Sequence, residues 1–434
     1  MQYYSTNNHS YFVNFRTAIL EGLAKDKGLF LPEKINTLSK DFIGNLQNYS
    51  FQEISFNIAK YFVGDEIEEA DLLTIINKAI SFEAPVKVLS DNLSILELFH
   101  GPTLAFKDFG ARFLAGTMEY FLKNESKEIT ILVATSGDTG SAVANGFLNI
   151  DGINVVVLFP EGKISKIQEK QITTLGNNIT AIEIEGTFDD CQRLVKSAFM
   201  DDELKLHINL SSANSINIGR LIPQTFYYFE SFKQIENILK DKNIIYSVPS
   251  GNLGNLTAGL FAKKMGLPIN KFIAANNNND VFTDYIDNGI FKPKPSKETL
   301  SNAMDVGNPS NFVRIVDVFN NNHSKIKDVI YSKSYSDSET VEKINELYEK
   351  FGYIIDPHGA VGCLALDTYQ NYETTESIGV VLETAHPAKF GDIFQKHLDI
   401  TPDIPERLAL SLSKEGNAVK LSGTYDEFKK YLLS

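Results

Sequence analysis

Three β-rich runs, ITILVAT (129–135), INVVVLF (153–159) and ITAIEIE (179–185), are separated by loops and short helix-forming stretches. A strand, a crossover helix and the next strand need about thirty residues, and the spacing here fits that unit. SILELF (94–99), NIIYSVPS (243–250) and IGVVLET (378–384) are further strand candidates, each followed by a helical pattern. Strands alternating with helices imply a mostly parallel α/β sheet, and 434 residues leave room for two of them. Residues 1 to about 85 read instead as mainly helical, with EGLAKDKGLFLPEKI as a Gly- and Pro-punctuated connection. NNNND (276–280) and NNNH (320–323) read as polar surface loops.

Composition narrows the function classes. At 43% hydrophobic and 22% charged the chain resembles an ordinary soluble globular protein. A net charge of -14 argues against a nucleic-acid partner. Cys191 and Cys363 match no zinc or disulfide spacing, and the seven histidines cluster nowhere, so no metal is expected. No apolar run approaches a membrane span, and MQYYSTNNHSYFVNF lacks a signal-peptide profile. A cytoplasmic location is the expectation.

FHGPTLAFKDFGARF (99–113) places Lys107 where a helix begins. Phe106, Phe109, Phe113, Thr117 and Tyr120 recur at helical spacing. A cation in the first turn faces the positive end of the helix dipole, so Asp108 obeys the rule that Lys107 breaks. Either the lysine snorkels to water from a core edge, or it is kept for chemistry.

Other loops at strand ends are also unusual, and parallel α/β folds bind ligands there. SGNLGN, Ser250 to Asn255, lies between a strand and a helix. Its backbone N–H groups and the helix N-terminus suit a single phosphate monoester, though a plain tight turn has the same letters. It is neither a Walker A loop nor a dinucleotide fingerprint. TSGDTG, Thr135 to Gly140, suits a carboxylate or phosphate, or is simply a helix start capped by Asp138 or Thr139. ETAHPAKFG, Glu383 to Gly391, closes the set. A monophosphate cradle, an anion-suited loop and an awkward lysine together describe a site for pyridoxal phosphate. Burial and the helix dipole favour the neutral amine, the form that attacks an aldehyde.

The blocks HGPTLAFKDFGARF, ATSGDTGSAVA, SANSINIGRL, VPSGNLGNLTAG, LSNAMDVGNPSNF and TAHPAKF, in this order, resemble the threonine synthase family of the longer bacterial and fungal type. That family belongs to the fold type II pyridoxal-phosphate enzymes, which are tryptophan synthase β-like. The resemblance covers nearly the whole chain. It implies two parallel-sheet α/β domains plus an N-terminal helical domain at 1–85. The catalytic region would span 86–434, with a smaller α/β subdomain at about 125–215 inserted in the larger one.

The resemblance also implies roles. Lys107 would bind the cofactor covalently and then move protons. Gly251, Asn252, Leu253, Gly254 and Asn255 would hold the cofactor phosphate, and Thr384 would face the pyridine nitrogen. Thr135, Ser136, Gly137, Asp138 and Thr139 would bracket the substrate carboxylate. Asn214, Ser215, Asn217, Arg220 and Lys389 are candidates for the substrate side. Many members of the wider superfamily carry Asn where this chain has Asp138, which leaves open the contact of Asp138 with the 3′-oxygen. The implied reaction converts O-phospho-L-homoserine and water to L-threonine and phosphate, in a monomer or homodimer. The alternatives are a threonine or serine dehydratase, or a non-catalytic pyridoxal-phosphate or amino-acid binding protein.

Overall fold

The structure is a computed structural model describing residues 1–123, 128–239, 242–373, 375–399 and 401–434. Its larger sheet has six strands in the order Ile330–Ser334, Lys271–Asn276, Asn243–Pro249, Ser377–Glu383, Leu93–Glu97, Val86–Ser90. All neighbours are parallel except the edge strand Val86–Ser90. Ser377–Glu383 and Leu93–Glu97 are buried along their whole length, because helices cover both faces of a parallel sheet.

The smaller sheet runs Val419–Ser422, Ile179–Glu185, Ile153–Pro160, Ile129–Ala134, Leu210–Ser211. Its edge strand Val419–Ser422 comes from near the chain's end and pairs in parallel with Ile179–Glu185, so residues outside 125–215 complete this unit.

A three-stranded antiparallel sheet, Asn8–Asn14, Gln2–Ser5, Phe30–Pro32, lies near the start of the chain, with the helix Phe15–Glu21 between its last two strands in sequence. The mainly helical expectation for this segment omits that sheet. The segment does not stand apart. Tyr3, Phe15 and Phe62 share one core with Phe109, Phe113 and Tyr228. Phe109 packs between Phe82 at 4.7 Å and Tyr227 at 5.6 Å, which fixes the helix Lys107–Leu122 against the N-terminal segment.

NNNND is not the surface loop that its composition suggests. Asn276 ends the strand Lys271–Asn276, and Asn276, Asn277 and Asn279 are buried rather than on the surface. Asn277 Nδ2 donates to Thr299 Oγ1 at 2.7 Å and to Asp305 Oδ1 at 2.9 Å, so the amides are satisfied inside the fold. The stretch at 320–322 is exposed, as the composition suggests.

Candidate active site

Three neighbouring strands of the larger sheet end side by side. Ser247 is in register with Val381, and Glu383 with Glu97. Beyond Pro249 comes the Ser250–Asn255 loop, beyond Glu383 comes Thr384, and beyond Glu97 comes the segment leading to Lys107. The sheet order therefore places Thr384 between the glycine loop and the lysine. The Phe106 N–H donates to the Thr384 carbonyl at 2.9 Å, and an Ala105–Ala385 bridge joins the two segments.

Lys107 is the first residue of the helix Lys107–Leu122. Asp108 pulls the preceding loop back on itself by accepting from the Thr103 N–H at 2.8 Å and hydroxyl at 2.7 Å. The lysine side chain is only 15% exposed, with Nζ 4.9 Å from the Phe106 ring centroid. Burial depresses its pKa, Asp138 and Asp356 oppose that, and Lys389 and Arg220 add to it; the net shift is downward. Snorkelling to water does not describe this residue.

The small sheet delivers its strand end from the other side. The helix Asp138–Gly146 has Gly137 as its N-cap, at φ 136°, so neither Asp138 nor Thr139 caps it. A side chain at Gly137 would be strained at this φ and would strike Gln168. The first-turn carboxylate of Asp138 is free to point at cations. Its Oδ1 lies 2.5 Å from Lys389 Nζ and accepts from Gln168 Nε2 at 2.9 Å, while Oδ2 lies 3.7 Å from Lys107 Nζ. Burial alone would raise its pKa, but Lys389 and Lys107 hold it well below the carboxylate range. Lys389, almost fully buried, also donates to the Thr103 carbonyl at 3.0 Å.

Thr135 shapes its loop, because its hydroxyl oxygen accepts from the N–H of Gly137 at 2.9 Å and of Gly140 at 2.8 Å. Ser136 and Thr139 stay partly exposed. Asn217 is fully committed: it caps the helix Ile218–Leu221 and donates to the carbonyls of Ile19 at 2.9 Å and Ser212 at 3.0 Å. Its amide has no donor left for a ligand. Arg220 is buried beside the Lys107 helix, and a Cβ on Gly110 would meet its Nε at 2.8 Å. That Nε has no partner among the described residues.

The glycine loop is organised for an anion. Leu253 is left-handed, at φ 61° and ψ 10°, and the helix Gly254–Lys264 follows. Among the described residues, none of the N–H groups of Gly251 to Asn255 donates to a protein acceptor. Side chains brace the loop instead. Asn252 Nδ2 bonds Ser215 Oγ, Asn252 Oδ1 accepts from the Ser310 N–H at 2.5 Å, and Asn311 Nδ2 donates to the Asn252 carbonyl at 3.0 Å. Asn255 turns inward, donating to the Pro249 carbonyl at 2.8 Å and accepting from Ser250 Oγ at 2.9 Å. A Cβ on Gly254 would touch nothing closer than Asn311 Nδ2 at 3.5 Å. Five free N–H groups on a left-handed turn at a helix start fit a phosphate monoester. With Thr384 between that cradle and a lysine biased toward the neutral amine, the residues fit pyridoxal phosphate.

Gln168 is the site residue that sequence reasoning missed. It sits in the capping box of the helix Lys166–Thr173, which follows Ser165, and S-x-x-Q is the only signal that marks it.

Fold and site together define a fold type II pyridoxal-phosphate-dependent enzyme. Residues 85–383 match the family "Pyridoxal-phosphate dependent enzyme", residues 2–80 match "Threonine synthase N terminus", and residues 359–432 match "Threonine synthase, C-terminal". The threonine synthase of Buchnera aphidicola subsp. Baizongia pistaciae is 43% identical over 434 residues, covering 100% of both chains. The crystal structure of threonine synthase from Escherichia coli superposes with a TM-score of 0.92 at 42% identity, covering 100% of this chain and 99% of that one. A structure titled as pyridoxal-phosphate-bound threonine synthase, from Brucella melitensis, gives a TM-score of 0.92 at 33% identity, covering 100% and 99%. The chain belongs to the threonine synthase family. Among the described residues, no helix is long and apolar enough to cross a membrane.

Proposed function

We propose that the protein converts O-phospho-L-homoserine and water to L-threonine and inorganic phosphate. The order of the three strand ends, cradle then Thr384 then Lys107, is the observation that carries the reading. Bound pyridoxal phosphate would supply an electron sink for carbanions at Cα and then at Cβ. Gly251 to Asn255 would hold its phosphate by backbone N–H groups, Thr384 would offer a neutral hydroxyl to its pyridine nitrogen, and Lys107 would bond it. The Lys107 amine would take and return the proton at the substrate's Cα. A proton would leave Cβ as phosphate departs from Cγ; Cγ would then take up a proton to become the methyl group, water would add its hydroxyl at Cβ, and the water's proton would go to the phosphate.

Ser136 and Thr139 offer hydroxyl groups to the substrate carboxylate on the small-domain side. Arg220, with its unpartnered Nε, faces the substrate phosphate. Lys389 serves Asp138, whose depressed pKa keeps a fixed negative charge between the two lysines. A carboxylate so neutralised by Lys389 accepts a hydrogen bond without repelling an anionic ligand. The same proposal includes a cytoplasmic enzyme that works as a monomer or homodimer.

Simultaneous release of phosphate and threonine from O-phospho-L-homoserine tests this. Equal amounts of both are expected. Formation of a 2-oxo acid from threonine or serine, with no phosphate released from O-phospho-L-homoserine, would assign a dehydratase instead.

A further inference from the structure

Arg314 lies near the N-terminus of the helix Phe312–Val318 and is completely buried. Every one of its donors is used. Nε donates to the Phe30 carbonyl at 3.1 Å and Nη2 to the same oxygen at 2.9 Å. Nη2 also donates to the Ile216 carbonyl at 2.6 Å, and Nη1 to Ser215 O at 3.2 Å and Asn311 Oδ1 at 2.6 Å. The five hydrogen bonds end on four acceptors, all neutral oxygens. Burial pushes the guanidinium down to about 9, and no carboxylate opposes that shift. A buried charge without a counter-ion is costly and needs a compensating partner.

The partner is supplied across one side chain. Because Arg314 takes Asn311 Oδ1, the Asn311 amide must present Nδ2 to its other neighbours, Asn252 O and Ser215 O. The Asn252 carbonyl is thereby held toward Asn311. In a trans peptide the N–H of the next residue points the opposite way, so the Leu253 N–H is turned away from Asn311. Leu253 is the left-handed residue of the loop, and its N–H is one of the five free donors. Ser215, the other shared neighbour, holds the Asn252 side chain. The cation and the glycine loop are thus two hydrogen bonds apart, with no charged group bonded between them.

Resting on the cofactor reading above, we infer that Arg314 is a positioning residue for the phosphate cradle. It orients the Asn252–Leu253 peptide through Asn311, and its uncompensated charge is balanced by the cofactor's phosphate dianion. The apoprotein therefore holds a cation whose counter-ion arrives with the ligand.

The test compares two probes on the same apoproteins: pyridoxal 5′-phosphate and pyridoxal, which lacks the phosphate. Arg314→Met should raise the Kd for pyridoxal phosphate tenfold or more and that for pyridoxal less than twofold. Arg314→Lys keeps the charge and should remain within about fivefold of wild type for pyridoxal phosphate, the net strength of one ordinary hydrogen bond. If Arg314→Met does not fold, the lysine variant decides alone, and a loss beyond fivefold overturns the charge assignment. Equal losses for the two probes, or none for either, would overturn it as well. Failure of the wild-type protein to bind pyridoxal phosphate would instead remove the cofactor reading itself.

Discussion

Asp138 stands between two lysines, with Oδ1 2.5 Å from Lys389 Nζ and Oδ2 3.7 Å from Lys107 Nζ. One carboxylate thus anchors a buried structural lysine and restrains the proton of the reactive one. The arrangement explains why the downward shift of Lys107 is opposed as well as driven. Burial, Lys389 and Arg220 act downward, and Asp138 and Asp356 hold it back.

Removing that carboxylate exposes its structural share. Asp138→Asn leaves Lys389 buried beside the neutral Thr103 carbonyl, and apoprotein stability at pH 7 should fall by about 3 kcal/mol. Adding Lys389→Met should recover more than half of the loss, since both charges are then gone. Urea unfolding of the two single variants and the double variant measures this coupling. Additive losses would mean that the pair is not a unit.

Gly251 and Gly254 should separate stability from binding. A Cβ on Gly251 would lie 2.8 Å from Met304 Cα and 2.9 Å from Ala303 O, which are backbone atoms that cannot swing away. Gly251→Ala should therefore lower both the apoprotein's melting temperature and cofactor affinity. Gly254→Ala meets only ordinary contacts, so it should leave the apo melting temperature within a degree or two, as for a change below about 0.5 kcal/mol, and weaken cofactor binding. Thermal melts beside absorbance titration give both readouts.

Arg220 and Lys389 now differ in what they predict, although their sequence signals are alike. Arg220→Ala should lower kcat/KM for O-phospho-L-homoserine by roughly ten- to a hundredfold, with cofactor absorbance little changed. Lys389→Met should lower stability as well as activity, because its amine is spent on Asp138 and Thr103. Steady-state kinetics with a melting curve on each variant distinguishes the two roles.

Glu383 gives a pH signature. Burial, then Asp356 and Glu97, push its carboxyl well above the ordinary value, and its Oε2 has no partner among the described residues. The folded protein holds this proton to a higher pH than the unfolded chain, which releases it near pH 4.3. Its contribution to stability is full below that pH and declines as pH rises toward the folded value. Glu383→Gln removes the titration, so its melting temperature relative to wild type should climb between pH 5 and pH 8. A difference that stays flat over this range would place the carboxylate in its charged form.

Much of the fold is legible because covered parallel strands write themselves as apolar runs. ITILVAT, INVVVLF, ITAIEIE and IGVVLET all become strands within a residue or two of their sequence limits. Ile330–Ser334 and Val419–Ser422 escape because they are short edge strands with charged or polar alternation. KFIAAN escapes because its strand runs straight into the asparagines, which look like solvent-facing residues until Thr299, Ser301 and Asp305 satisfy them. At the site, local letters reveal Lys107 and the glycine loop, since each breaks or exploits helix-start chemistry. Asn217 is misleading: the Asn before IGRL is a helix cap, a local signal that outranks its place in a recognised block. The ties from Gln168 and Lys389 to Asp138 join segments far apart in sequence, and no spacing rule encodes them.

Lys107 is the residue proposed to bond the cofactor. Borohydride reduction of the protein loaded with pyridoxal phosphate, followed by proteolysis and mass spectrometry, reads this directly. The predicted result is a single phosphopyridoxyl group on the peptide carrying Lys107, and none on the Lys107→Ala variant. Label on the peptide carrying Lys389, or undiminished label on Lys107→Ala, would contradict it.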